Sequence, residues 1–364
     1  MDLLEVAAEP HGFIGAVSLL PGTEGLARGA KVNIPDVAAQ TPEDCNPGSS
    51  LPSGGNFDVG AKEITLTKSR RTKFTWNGDE ELSVGALLNP IQRAQRQEAF
   101  RALRNEMEKD IAEEACKQAI LAGNLVGTAG TAPFATDLKV LTRSYKILED
   151  VGSPLTRLQC VMNTEAGMNL RNLTQLQKVS EGGNDDLLRR GVLGNLMGFD
   201  LRSSAGLVAD TIAASGYLVN GAVTAGAKQV TMDTGTGAIK AGTIVKFGSA
   251  TDQYVVAEDV ASGGTTLKLT TALKAGVADN TAINFTANTG TVAFDKGAIY
   301  LATRPPRVTG AGDGALGRAY LTDPYTNIVY EIAAWGGAYE TTFTVAVVWG
   351  VKTIRPENTV CILG

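Results

Sequence analysis

PIQRAQRQEAFRALRNEMEKDIAEEACKQAILA, residues 90–122, is the stretch on which the fold turns. No Gly and no further Pro interrupts it, and Gly123 follows. Phe100, Leu103, Met107, Ile111, Ala115, Ala119 and Ala122 recur at three- and four-residue steps, the period of one helix face. Asn89-Pro90 suits an N-cap followed by the first helical position, and Gly123 suits the C-terminal stop. Glu113 and Lys117 stand at the favourable i, i+4 spacing. The spacing predicts a single helix roughly 50 Å long at about 1.5 Å per residue. Its apolar stripe is narrow and rich in Ala, and Asp and Glu interrupt any strict heptad, so a coiled coil is disfavoured.

Upstream, residues 62–76 alternate. Ile64 and Leu66 are followed by Lys68, Arg70, Arg71 and Lys73, then by Phe74 and Trp76. This predicts a strand pair or one long strand with a basic middle, and Asn77-Gly78 marks a turn. Val32–Ile34 is a candidate partner strand, which makes a long two-stranded projection. Such a ribbon is marginal alone in water and is expected to lie on a neighbour. Residues 1–62 carry six prolines and a Pro/Gly/Ser cluster at 47–55. Their apolar residues come in bursts too short for a private core, so sister copies are expected to cover them.

Downstream, residues 134–150 predict a second helix with Leu138, Leu141, Tyr145 and Leu148 on one side. Leu158–Met162 reads as a buried strand, and Asn163 or Thr164 as the cap of a helix to about Leu173. Residues 180–200 are Gly- and Asn-rich, a loop with a helical turn or two. From about Gly216 to Thr289 the chain turns to Thr, Ala, Gly and Val. Short β-like runs there are separated by turn signals, as in a small barrel or sandwich. Ala298–Ala302, Val329–Ala334, Thr342–Val351 and Thr359–Leu363 are further strands, and Arg304–Gly317 is a loop. These last strands need partners. The mixed segment before the Thr/Gly-rich module is the natural supplier, which makes the module an insertion.

Composition narrows the chemistry. The chain has 364 residues, room for a large core, and a net charge of −5, which argues against tight binding to phosphates. No basic leader and no apolar run long enough to span a bilayer is present, so use in the cytoplasm is expected. Cys45, Cys116, Cys160 and Cys361 lack C-x-x-C spacing and predict neither structural disulfides nor a zinc site. His11 is the single histidine, which removes multi-His metal sites and makes a Ser-His-Asp triad implausible. Asp233-Thr234-Gly235 matches the aspartic-protease tripeptide, but it has no second copy and reads as a hairpin turn. Gly312 to Gly317 matches G-x-G-x-x-G, yet Pro305-Pro306 precedes it, so a surface loop is expected. No catalytic, cofactor or metal site is predicted. The remaining candidates are charges that read either as solvated faces or, more sharply, as contacts between subunits. Lys68, Arg70, Arg71 and Lys73 would meet an acidic neighbour such as Asp79-Glu80-Glu81, or nucleic acid. Arg93, Arg96, Arg101 and Arg104 would form a salt-bridge strip on the long helix.

This order of parts resembles tailed-phage coat proteins of the Hong Kong 97 type. The resemblance rests on a ribbon from Lys31 to Trp76, a spine helix from Leu87 to Ala122, and the passage Thr156–Leu173. The ending Val345–Glu357, a β-run closed by a basic-Pro-acidic turn, adds to it. It implies an α+β capsid fold with arm (1–30), extended β-loop (31–82), spine helix and peripheral domain (83–155), and axial domain (156–215 and 291–364). The module at 216–290 is similar to the inserted β-barrel of the Salmonella-phage coat protein. The resemblance implies a non-enzymatic shell protein of the virion, assembled in the host cytoplasm as hexamers and pentamers around double-stranded DNA. A separate scaffolding protein, a portal and decoration proteins are its implied partners; contact with DNA would be weak, and there is no membrane and no cofactor. An encapsulin-like compartment is the alternative, with a β-rich hydrolase or adhesin further behind.

Overall fold

The structure, a computed structural model, describes residues 9–37, 59–84, 88–177, 194–209, 211–309, 312–324 and 326–364. The cluster at 47–55, Cys45 and most of the 180–200 stretch lie outside these residues. The first part of the chain forms α1 (Phe13–Ala16), β1 (Ser18–Pro21), β2 (Lys31–Val37), β3 (Val59–Thr65), β4 (Lys68–Asn77) and α2 (Gly78–Val84). Then come α3 (Leu88–Leu121), β5 (Leu125–Gly127), α4 (Lys139–Asp150), β6 (Leu158–Met162), α5 (Thr164–Asn172), α6 (Thr174–Gln177), β7 (Asn195–Leu196) and β8 (Phe199–Ser203). Six short strands follow: β9 (Leu218–Val219), β10 (Gln229–Asp233), β11 (Ile244–Phe247), β12 (Tyr254–Val255), β13 (Thr266–Lys268) and β14 (Ile283–Thr286). The chain ends with β15 (Thr291–Asp295), β16 (Ile299–Arg304), β17 (Ala315–Thr322), β18 (Val329–Gly336), β19 (Glu340–Thr353) and β20 (Thr359–Leu363).

The helix α3 is the organiser. Its stripe from Phe100 to Ala119 is almost completely buried, and Gly123 stops it with φ +82°. The helix starts at Leu88, so Pro90 stands inside the first turn rather than at its first position. Proline is tolerated there because the first N–H groups of a helix have no partner in it. Among the described residues, the i, i+4 ion pair on this helix is Lys109–Glu113, at 4.0 Å.

Two six-stranded sheets pack on α3. One runs β1-β16-β19-β18-β17, with β4 also on β19; it lays Val345, Val347 and Trp349 against the helix. The other runs β5-β20-β15-β6-β8-β7. Its β6, β15 and β20 are buried at every position, because α3 covers one face while α4 and α5 cover the other. That explains their near-continuous apolar runs. Asn163 caps α5 as its sequence predicts, its Oδ1 accepting the N–H of Ala166 at 2.8 Å. The second helix begins only at Lys139, since buried Phe134 sits in a left-handed turn with φ +59°.

Between β8 and β15 the six short strands form two three-stranded sheets, β13-β10-β9 and β12-β11-β14. Bridges at Leu218–Ala282 and Val256–Leu269 join them edge to edge into a closed ring. Tyr217, Val230, Met232, Val245, Leu267 and Ile283 fill its centre.

Several expectations need correction. β2 and β3 do form a two-stranded ribbon, from Lys31–Thr65 to Val37–Val59. However, β4 leaves it and pairs with β19 over ten residues, from Lys68–Trp349 to Asn77–Glu340. The projection therefore stops at Leu66 instead of running to Trp76. The front of the chain also covers its own apolar residues. Phe13, Ile14, Ala16 and Val17 join the α3 core, with Phe13 stacked 6.1 Å from Phe294. Ile64 and Leu66 are fully buried against Ala302, Val348 and Ile354. Sister copies are not needed for any of these. Finally, β17 takes up the end of the expected 304–317 loop, with Gly312 and Gly314 at positive φ before it.

Candidate assembly surface

Strand β4 has two chemically distinct faces. Lys68, Arg70, Thr72, Phe74 and Trp76 point toward α3, because residues two apart share a face. Lys68 Nζ donates to Asp110 at 2.7 Å and to Glu106 at 3.3 Å, and Arg70 Nε donates to Glu106 at 2.9 Å. Trp349 Nε1 donates to the other Asp110 oxygen at 2.8 Å, and Trp76 Nε1 to Gln95 at 2.8 Å. Burial alone would lower the Lys68 pKa, but the Asp110 and Glu106 carboxylates outweigh it and hold it above its usual value. The expected acidic partner of Lys68 and Arg70 is thus the chain's own long helix.

The opposite face of β4 carries Arg71 and Lys73. Both are exposed, and neither has an ion-pair partner among the described residues. The acidic turn Asp79-Glu80-Glu81 begins α2 and is exposed as well. Glu80 and Asn77 bond reciprocally, Asn77 N to Glu80 Oε2 at 3.1 Å and Glu80 N to Asn77 Oδ1 at 2.8 Å, a capping box. Leu82, beside them, is 84% exposed. Within one chain this acidic turn makes no ion pair with Arg71 or Lys73.

The helix arginines divide differently from a single strip. Arg93 and Arg96 are half-buried and engaged. Arg101 bonds Glu9 through Nε at 2.9 Å and also reaches Glu98. The Arg101 guanidinium, helped by Asn105, holds the Glu9 carboxyl down at about 2. Arg104 turns inward: its Nη2 donates to the fully buried Asp323 at 2.6 Å. It is a core ion pair rather than a contact for a neighbour.

Sequence reasoning missed Glu108. This carboxylate is 1% exposed. Oε1 accepts the N–H of Phe13 at 2.8 Å and the hydroxyl of Ser204 at 2.6 Å, and Oε2 accepts the N–H of Ile14 at 3.0 Å. It therefore ties the front of the chain, α3 and the end of β8 at one point. His11 belongs to the same latch, its Nε2 lying 2.7 Å from Asn105 Oδ1. The signal was present: at about 100° per residue, Arg104 falls between Ile111 and Ala115, and Glu108 between Ala115 and Ala119, inside the apolar arc.

Elsewhere, among the described residues, the surface carries exposed apolar side chains. Tyr339, at the β18–β19 tip, is 97% exposed. Strand β17 is a sheet edge with Leu316 and Tyr320 exposed, a place where a second chain can attach. Asp233-Thr234-Gly235 is a turn with Thr234 at φ +58°, its Gly235 under the Tyr217 ring. Gly312 to Gly317 leads into a strand and not a helix, which removes the dinucleotide reading. No group of three metal-ligating side chains occurs among the described residues.

No protein-family profile and no curated protein matches the sequence. Solved structures do match. The capsid structure of the cyanophage P-SCSP1u aligns over 99% of this chain and 90% of its own, with 13% identity and a TM-score of 0.51. A structure from Mycobacterium phage Che8 aligns over 92% and 84%, with 16% identity and a TM-score of 0.49. A virus-like particle from Pyrococcus furiosus aligns over 99% and 96%, with 9% identity and a TM-score of 0.43. The chain has the mixed α+β fold of the cyanophage capsid structure.

Proposed function

We propose that this chain is the major capsid protein of a tailed bacteriophage, the subunit of an icosahedral shell around double-stranded DNA. The observation that carries this reading is the likeness to the cyanophage capsid structure over 99% of the chain. In this reading α3 is the spine helix and β2–β3 the extended loop. The ring of strands from Leu218 to Thr286 is a domain inserted into the axial domain. Hexamers and pentamers of the chain, a separate scaffolding protein, a portal and decoration proteins complete the particle, which assembles in the host cytoplasm. The exposed acidic turn Asp79-Glu80-Glu81 and the exposed pair Arg71 and Lys73 are opposite charges that one copy can offer the next. Repeated over a closed shell, weak contacts of this kind add up.

The test is expression of the chain with the scaffolding protein encoded beside it, followed by sedimentation and electron microscopy. Closed shells tens of nanometres across are expected. Small monodisperse oligomers under every condition would overturn the reading. Shells enclosing a cellular enzyme, with no portal vertex, would transfer it to a protein compartment of the same fold.

A further inference from the structure

Cys116 and Cys361 are far apart in sequence but meet over one glycine. Cys361 lies on β20 opposite Val292 of β15, so its side chain faces α3. Gly290, two residues before Val292, lies on the same side. A methyl group on Gly290 would come within 3.0 Å of both Cys116 Sγ and Cys361 Sγ. The two sulfurs are therefore at most about 6 Å apart, so a disulfide, with its S–S length of about 2 Å, requires both side chains to turn toward each other. Ala112, Ala115 and Ala119 keep this part of α3 slim, which brings its Cys116 close to the sheet. Both thiols are reduced in the structure. Cys116 is half-buried and reachable, while Cys361 is fully buried behind it, 3.8 Å from Asn288 Nδ2. Cys160 is no competitor. It lies on the other face of the same sheet, and burial pushes its thiol up to about 12.

We propose that Cys116 and Cys361 are a modification site: a thiol pair that closes to a disulfide outside a reducing cytoplasm and fastens α3 to the last strand. The oxidant is a low-molecular-weight disulfide. The Cys116 thiolate attacks one of its sulfurs and forms a mixed disulfide, expelling one thiolate. The Cys361 thiolate then attacks Cys116 Sγ and expels the second. Two electrons and two protons pass from the protein to the reagent, which leaves as two thiols. The site depends on the Proposed function only for the change of compartment; the chemistry stands without it.

Purified full-length protein, titrated with oxidised glutathione and then alkylated, tests it. The expected products are a mass lower, before alkylation, by about 2 Da than that of the reduced protein, a peptide pair joining Cys116 to Cys361, and a thermal midpoint raised by about 3–5 °C. Dithiothreitol should reverse all three. Cys361→Ser should stop at a glutathione adduct on Cys116. Wild-type protein that stops at that adduct, keeps both thiols alkylatable, or joins Cys116 to Cys45 instead would overturn the proposal. Shell formation in the reduced protein is a separate measurement, so failure here leaves the capsid reading intact.

Discussion

The backbone of Gly350 on β19 lies directly under the carbonyl oxygen of Thr65: a methyl group on Gly350 would stand 2.1 Å from it. This contact seats the base of the β2–β3 ribbon on the main sheet, beside the buried Ile64 and Leu66. Only a residue without a Cβ permits that approach.

Gly350→Ala should therefore lift the ribbon base and cost about 1–3 kcal/mol, the usual range for forced overpacking. Denaturant unfolding measures the loss, and hydrogen exchange should localise it to residues 64–66. Unchanged exchange there would show that the ribbon is held from elsewhere.

Removing the Glu108 carboxylate leaves Phe13 N–H, Ile14 N–H and the Ser204 hydroxyl without an acceptor. Glu108→Ala should cost roughly 2–5 kcal/mol, and Glu108→Gln, which keeps one oxygen, clearly less. Limited proteolysis should cut the alanine variant within residues 9–17 first. Wild-type resistance in that variant would remove the latch from the account.

On β4 the two faces should respond oppositely. Arg71→Glu with Lys73→Glu changes an exposed face and should leave subunit stability within about 0.5 kcal/mol, while the yield of closed shells falls. Lys68→Glu places a third carboxylate beside Glu106 and Asp110 and should destabilise the subunit itself. Full shell yield from the Arg71/Lys73 double variant would assign subunit contacts to other surfaces.

Acid should act first on the Glu9–Arg101 contact. The folded carboxyl titrates at about 2, below its ordinary 4.5, so its contribution is complete above pH 4.5 and disappears as pH falls toward 2. The pair is only half-buried, so the effect is small and weakened by salt. Protease cleavage near residue 9 should rise across that window in wild type and be flat in Glu9→Gln. A flat wild-type profile would mean that the ion pair does not hold the arm.

The sequence exposes those parts of the fold that rest on local periodicity. The α3 stripe, the apolar run of β6, the Asn163 cap and the closing strands β18 to β20 follow from neighbours in the chain. Pairings between distant segments left no such trace. Nothing in Ser18–Pro21 marks it as the parallel partner of β16, and the alternation of Lys68 to Trp76 does not say which strand lies beside it. The charges of β4 and α3 were legible as residue types but not as roles, because an arginine reads alike on a solvated face and in a core. Arg104 and Glu108 were the exception in principle: charged side chains within an apolar arc must find buried partners.

Ser18 pairs with Tyr300, and Pro21 with Thr303. β1 must thus wait for about 280 more residues before its partner is made, about 15–55 s of elongation at about 5–20 residues per second. Until then Leu19 and Leu20 have no strand to lie beside. A nascent chain in that interval offers an unpaired β-edge to chaperones and to other polysomes, so translation speed, as well as final stability, sets how much protein is recovered in native form.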